Sequence, residues 1–133
     1  MKLLVEEDGS EVVEQAAGQA EVVAALLLSY VEARSAFARM RVDGRLDSTG
    51  HAETVSELDR LWATTARVPV DGDLVARAAT LADRHGLRAY DAVQLAGALE
   101  VAAADDELRF ACWDGDLRNA ARDEGLAVLP AQP

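Results

Sequence analysis

The sequence predicts a single α/β domain, a parallel sheet flanked by helices, on three observations. Strand-like and helix-like segments alternate along the chain, the pattern of a parallel sheet with crossover helices. Half of the residues are apolar and few are aromatic, a mix rich in Ala, Leu and Val that suits helices packed on an aliphatic sheet. The length of 133 residues fits one domain with a real core, and no repeat, linker or low-complexity segment divides it.

Taken in order, the first eight residues read as the tail of a helix that enters an Asp8-Gly9 turn, with Lys2-Leu3-Leu4-Val5 in mid-helix and no cap before it. Ser10 then caps a short helix to about Ala17, with Glu11 in its first turn. Glu21 to Ala25 is a short buried-strand candidate, weakened by its alanines. From Ser29, the positions Tyr30, Ala33, Phe37 and Met40 fall at helical spacing and predict a helix that ends near Asp43-Gly44. Ser48 caps the next helix, which runs through Leu58, Leu61 and Trp62 toward Thr65. Arg67-Val68-Pro69-Val70 is short and extended, and its proline confines it to an edge strand or the lead into one. Asp73 begins a helix through Val75, Ala79 and Ala82 that closes at His85-Gly86. Another helix runs from about Tyr90 through Leu95 and Leu99 to Ala104. Leu108 to Trp113 alternates as a strand, a helix runs from Asp116 to Gly125, and Leu126 to Leu129 forms the last strand before Pro130.

The formal charge is −11. A protein that holds nucleic acid mainly through a cationic surface has the opposite balance, because phosphate contacts need Lys and Arg. The acidity suits an acidic metal site or a basic protein partner, and is equally met as a solubility bias. Cys112 is the only cysteine, which excludes an intrachain disulfide and a cysteine zinc cluster and fits a reducing cytoplasm. Leu3-Leu4-Val5 is too short for the core of a signal peptide, and no apolar run approaches the roughly 20 residues of a membrane helix.

Three acids sit in or beside apolar stretches, where a carboxylate has no solvation reason to be: Glu32, Asp91 and Asp114. A buried lone carboxylate costs several kcal/mol, so such groups are usually paired, hydrogen-bonded or bound to metal. Each falls at a predicted strand-to-helix or loop-to-helix junction, where an open parallel sheet builds its site. Helix N-termini there tolerate anions and phosphates. Hard ions such as Mg²⁺ or Mn²⁺ bind through one or two carboxylates, water and phosphate oxygens, and activate water against a phosphodiester. The joint arrangement therefore points to a small metal-dependent nuclease. Each acid taken alone has a plainer reading: Asp91 as a dipole residue, Glu32 as an exposed helix residue, Asp114 as a cap. Asp116 reads as the better cap and the weaker ligand.

His51 and His85 lack metal-ligand spacing, and Cys112 reads as a buried strand residue. No Gly-rich phosphate loop or Gly-x-Ser-x-Gly is present. Trp62 reads as core or partner surface in preference to a base-stacking platform. Arg34, Arg39, Arg88 and Arg118 flank the acids in sequence and are candidates for RNA phosphates, with surface salt bridges as the default for each.

At these segments the chain resembles the PIN-domain ribonucleases, in particular the VapC-type toxins of bacterial toxin–antitoxin pairs. Ser29-Tyr30-Val31-Glu32-Ala33-Arg34 looks like the family's second acidic motif, Arg88-Ala89-Tyr90-Asp91-Ala92-Val93-Gln94 is the most specific match, and Trp113-Asp114-Gly115-Asp116-Leu117 resembles the fourth. The resemblance implies Glu32, Asp91 and Asp114 as catalytic metal-site residues with Asp116 as a helper, Arg34, Arg88 and Arg118 at RNA, and Mg²⁺ or Mn²⁺ as cofactor. It further implies RNA as substrate, a homodimer, and an antitoxin that inserts into the acidic groove through an Arg, an encounter the negative charge favours. Residues 3–10 look like the stretch that follows the family's first motif, a strand ending in Asp-Thr/Ser-Ser-Ala. That N-terminal central strand and its acid have no counterpart here; the expectation is a start codon assigned too late and weak or absent cleavage by this chain. The alternative expectations are a non-catalytic PIN-like protein-binding module and, more distantly, another metal-dependent phosphoryl hydrolase.

Overall fold

The structure, a computed structural model, describes residues 23–131. The expected Asp8-Gly9 turn, the helix from Ser10 and the start of the Glu21 strand lie outside the described residues. Elements follow in the order β1 (Ala24–Leu26), α1 (Ser29–Val42), α2 (Ser48–Ala63), β2 (Ala66–Val68), α3 (Gly72–His85), α4 (Ala89–Ala104), β3 (Arg109–Ala111), α5 (Gly115–Asp123) and β4 (Ala127–Leu129). The α/β class and the alternation of strands with helices are as expected. Among the described residues no helix is long and apolar enough to cross a membrane.

The strands are only three residues each and form two parallel pairs: β1 with β2, Ala24 opposite Ala66, and β3 with β4, Arg109 opposite Ala127. Among the described residues no ladder joins the two pairs. They are joined through side chains. Leu26 of β1, Val128 of β4 and Cys112 just past β3 share one core with Leu74, Ala78 and Leu81 of α3, Ala92, Leu95 and Ala96 of α4, and Leu117, Ala120 and Ala121 of α5. The spacing of four then three in Leu74, Ala78 and Leu81 places all three on one helical face. A second, smaller core holds α1 on α2 through Ala33, Phe37, Met40 and Leu58.

Three of the five described helices start by one rule, while α1 and α4, entered from Leu28 and Arg88, have no side-chain cap. Asp47, Asp71 and Asp114 occupy the caps in extended conformation, and their carboxylates accept from the N–H groups of Gly50, Leu74 and Leu117 at 2.6, 2.9 and 3.0 Å. Asp47 displaces the expected Ser48 with a charge-assisted cap bond, and Asp114 displaces Asp116 because the extended cap position falls at Asp114. Asp73 and Asp116 fall instead in the first turn, where the helix dipole favours them. At the far end of α3, Gly86 closes the helix with φ of 66°, a left-handed conformation open to glycine.

Two long-range contacts position the helices. Helix α4 approaches β1 so closely that a Cβ on Gly97 would lie 2.6 Å from Cδ2 and 3.2 Å from Cγ of the buried Leu26. The C-terminal ends of α3 and α5 are tied by Glu124, whose Oε2 accepts from Arg84 Nη1 at 2.7 Å and bonds His85 Nε2 at 2.7 Å. These bonds hold the Glu124 carboxyl below its ordinary pKa, the His85 bond contributing most.

Overpacking at Gly97 costs about 1–3 kcal/mol, against roughly 1 kcal/mol of helix propensity returned by alanine. Gly97→Ala is therefore expected to lower the unfolding free energy by about 1 kcal/mol in urea denaturation, where propensity alone would raise it. A carboxyl whose pKa is depressed by folding adds stability that is complete above its unfolded value and is lost as pH falls through the folded one. Thermal melts of the wild type should thus lose stability below about pH 4.5 more steeply than melts of Glu124→Gln. Parallel acid limbs for the two proteins would contradict this role.

Candidate active site

Asp91 stands in the first turn of α4 and is partly buried. Its carboxyl is pushed above the ordinary range first by burial and then by Asp114, with Glu32 and Asp116 adding, while the Arg88 guanidinium opposes them. The charges of the other three acids named from the sequence therefore all reach Asp91, although the four come from three helices. A perturbed carboxyl among like charges marks a candidate site, and a bound cation would relieve the repulsion.

Each acid is placed by ordinary local rules. Asp114 follows β3 by three residues and caps α5, so one carboxylate oxygen is held toward the helix N-terminus. Asp116 is exposed in the same first turn. Glu32 is exposed in the first turn of α1, which follows β1 after Leu27-Leu28. The start of α1 meets the start of α4 where Ser29 Oγ lies 3.4 Å from Tyr90 Oη. Burial raises the pKa of the Tyr90 phenol, and the Glu32 and Asp91 charges raise it further, against hydrogen bonds from Ser29 and Gln94 that lower it. Tyr90 is thus a protonated hydroxyl between two of the acids. Sequence reasoning passed over it, although it stands next to Asp91 in the most specific segment.

The arginines divide. Arg88 is exposed beside Asp91. Arg34 is exposed and donates to the Tyr30 hydroxyl at 3.0 Å. Arg118 does not meet its expected role at RNA: it is 3% exposed, and its guanidinium donates to the carbonyls of Cys112, at 2.7 Å, and Pro130. A buried charge must be satisfied inside the protein, and these carbonyls do so, leaving no face for a phosphate. The signal was present in the spacing, since Arg118 neighbours Leu117 and precedes Ala121 by three on the buried face of α5. Cys112 is buried as expected, and burial pushes its thiol to about 11, so it is inert at neutral pH. His85 is taken up by Glu124.

The donor set consists of hard carboxylate oxygens at helix N-termini, the chemistry of a Mg²⁺ or Mn²⁺ site. Among the described residues, no three His, Cys, Asp or Glu side chains are placed to ligate one ion together. The set therefore fits an ion held by one or two carboxylates with water and phosphate oxygens, and does not fit a closed protein cage.

No protein-family model matches the chain. Two curated proteins of Mycobacterium tuberculosis do align with it, Ribonuclease VapC45 from strain CDC 1551 / Oshkosh and Ribonuclease VapC49 from strain ATCC 25618 / H37Rv. Each is 33% identical over 132 residues, which is 99% of this chain and 90% of the relative. Near-complete alignment at this identity, together with an α/β fold of short parallel strands, shows that the chain belongs to the VapC ribonucleases and has their PIN-like fold.

Proposed function

We propose that this chain is a metal-dependent endoribonuclease that hydrolyses RNA phosphodiesters, the toxin of a type II toxin–antitoxin pair. The observation that carries the reading is that the charges of Asp114, Glu32 and Asp116 all bear on the partly buried Asp91. The ribonuclease names of the two relatives support the substrate class. Asp91 and Asp114 are the residues to hold Mg²⁺ or Mn²⁺, with Glu32 and Asp116 in support. The bound ion supplies an activated water and stabilises charge that develops on the phosphate. The protein's own part is electrostatic. The N-termini of α4 and α5 attract phosphate oxygens, and Arg88 offsets part of the negative field that would otherwise repel RNA. Tyr90 stays protonated as a donor beside the acids.

The same acidic edge is the docking place for a cationic segment of an antitoxin, and association of two copies as a homodimer belongs to this reading. A second reading, a non-catalytic PIN-like module that binds protein, is favoured by one observation: no three potential ligands converge among the described residues.

Loss of a group that merely supports a metal ligand costs about 10- to 100-fold in affinity or activity. Asp91→Asn is therefore expected to reduce Mn²⁺-dependent cleavage of a structured-RNA pool by at least about 100-fold, with circular dichroism unchanged. Cleavage that chelator does not affect would remove the metal-dependent reading. No cleavage by the wild type, with antitoxin bound equally by the wild type and Asp91→Asn, would establish the binding module. The same assay measures whether this chain's turnover is impaired.

A further inference from the structure

Arg34, Tyr30, Trp62 and Arg67 form a continuous ladder of flat groups across α1, α2 and the start of β2. The Tyr30 and Trp62 rings lie 5.5 Å apart at 49°. The Arg34 guanidinium sits 5.8 Å from the Tyr30 ring centre, and that of Arg67 sits 5.3 Å from the Trp62 ring. Hydrogen bonds fix both ends: Arg34 Nη1 donates to Tyr30 Oη at 3.0 Å, and Arg67 Nη2 donates to the Trp62 carbonyl at 2.9 Å. Tyr30 Oη donates in turn to Asp59, the one carboxylate on the ladder.

Charge sets this arrangement apart. Acids outnumber bases 24 to 13 in the sequence, so an exposed arginine has many carboxylates available to it. Yet among the described residues neither Arg34 nor Arg67 forms a salt bridge, and both are exposed on aromatic rings. A guanidinium held on a ring keeps its outer face and unused N–H groups for a base or a phosphate. Tyr30 and Trp62 are only half-buried. The ladder starts one residue after Ser29, which bonds Tyr90, and two residues before Glu32. It is thus close to Glu32 along the chain of α1.

We propose that this ladder is a docking strip for single-stranded RNA, with bases stacking on the outer faces of the Arg34 and Arg67 guanidiniums that end it, each held flat on its Tyr30 or Trp62 ring, and phosphates meeting their unused N–H groups. The proposal rests on the ribonuclease reading and extends it to how the substrate strand is held. Two exposed guanidiniums with no salt bridge among the described residues repel a cationic protein segment, so the strip suits RNA better than a basic partner. Stacking on a flat group is tolerant of base identity, which makes the strip a grip on strand form and not a sequence reader.

The test is binding of a labelled single-stranded RNA of about 12 nucleotides, in chelator so that it stays intact. Anisotropy, tryptophan fluorescence and salt dependence are read for the wild type, Trp62→Phe, Arg34→Gln and Arg67→Gln. The wild type should show tryptophan quenching that is largely lost in Trp62→Phe. Each arginine variant should bind more weakly and lower the salt slope by about one. Trp62→Ala should weaken binding about 5- to 150-fold, the loss of one base stack. An oligoglutamate of equal charge that quenches as RNA does would overturn base stacking. RNA binding and Mn²⁺-dependent cleavage that none of the substitutions alters would overturn the strip and leave the ribonuclease reading standing. No RNA binding and no cleavage by the wild type would overturn both.

Discussion

Close contact between α4 and β1 is the constraint on which the site depends. Gly97 packs against Leu26 with no room for a methyl group, and Leu95 and Ala96 beside it are fully enclosed. A helix seated so tightly has one axial position, and its first turn carries Asp91. The strands themselves are too short to impose order across the fold, and side chains of α3, α4 and α5 do this instead. Packing precision in such an interior is sensitive to single methyl groups. The carboxylate at the mouth of α4 thus inherits its location from a small-residue contact two turns away.

Electrostatics at that mouth are arranged against the chain's own stability. Three carboxylates bear on Asp91, which is itself partly buried, and both effects oppose its ionisation. Helix N-termini and Arg88 compensate part of it. Asp114 serves two ends at once, since the oxygen that caps α5 also orients the carboxylate toward its neighbours. Functional sites commonly hold such unfavourable pairings in place by packing elsewhere.

Much of this was legible in the residues. Helical spacing from Tyr30 to Met40, and the His85-Gly86 stop, placed α1 and the end of α3 closely, because those signals are local. The three acids were singled out because carboxylates beside aliphatic runs are conspicuous. Cap positions were misjudged by one or two residues, since Asp47 and Ser48, or Asp114 and Asp116, are all competent caps and only the backbone path selects between them. The separation of four strands into two pairs is a tertiary property with no local signature. Arg118 was misread because a charged residue is assigned to the surface by default, and the spacing that contradicts this is short.

Arg118 also bears on which substitutions this fold can accept. Its guanidinium holds the ends of β3 and β4 through the carbonyls of Cys112 and Pro130, groups that every amino acid carries. Such a contact is blind to the side chains at positions 112 and 130 and sees only where their backbone runs. Through this contact the two strand ends are restricted in path, whatever packing asks of their side chains. Arg118 itself is restricted in composition, because a lysine lacks the planar fork needed to reach both carbonyls. At positions 112 and 130 drift in sequence answers to the core that buries them, whereas at 118 it answers to the planar fork itself.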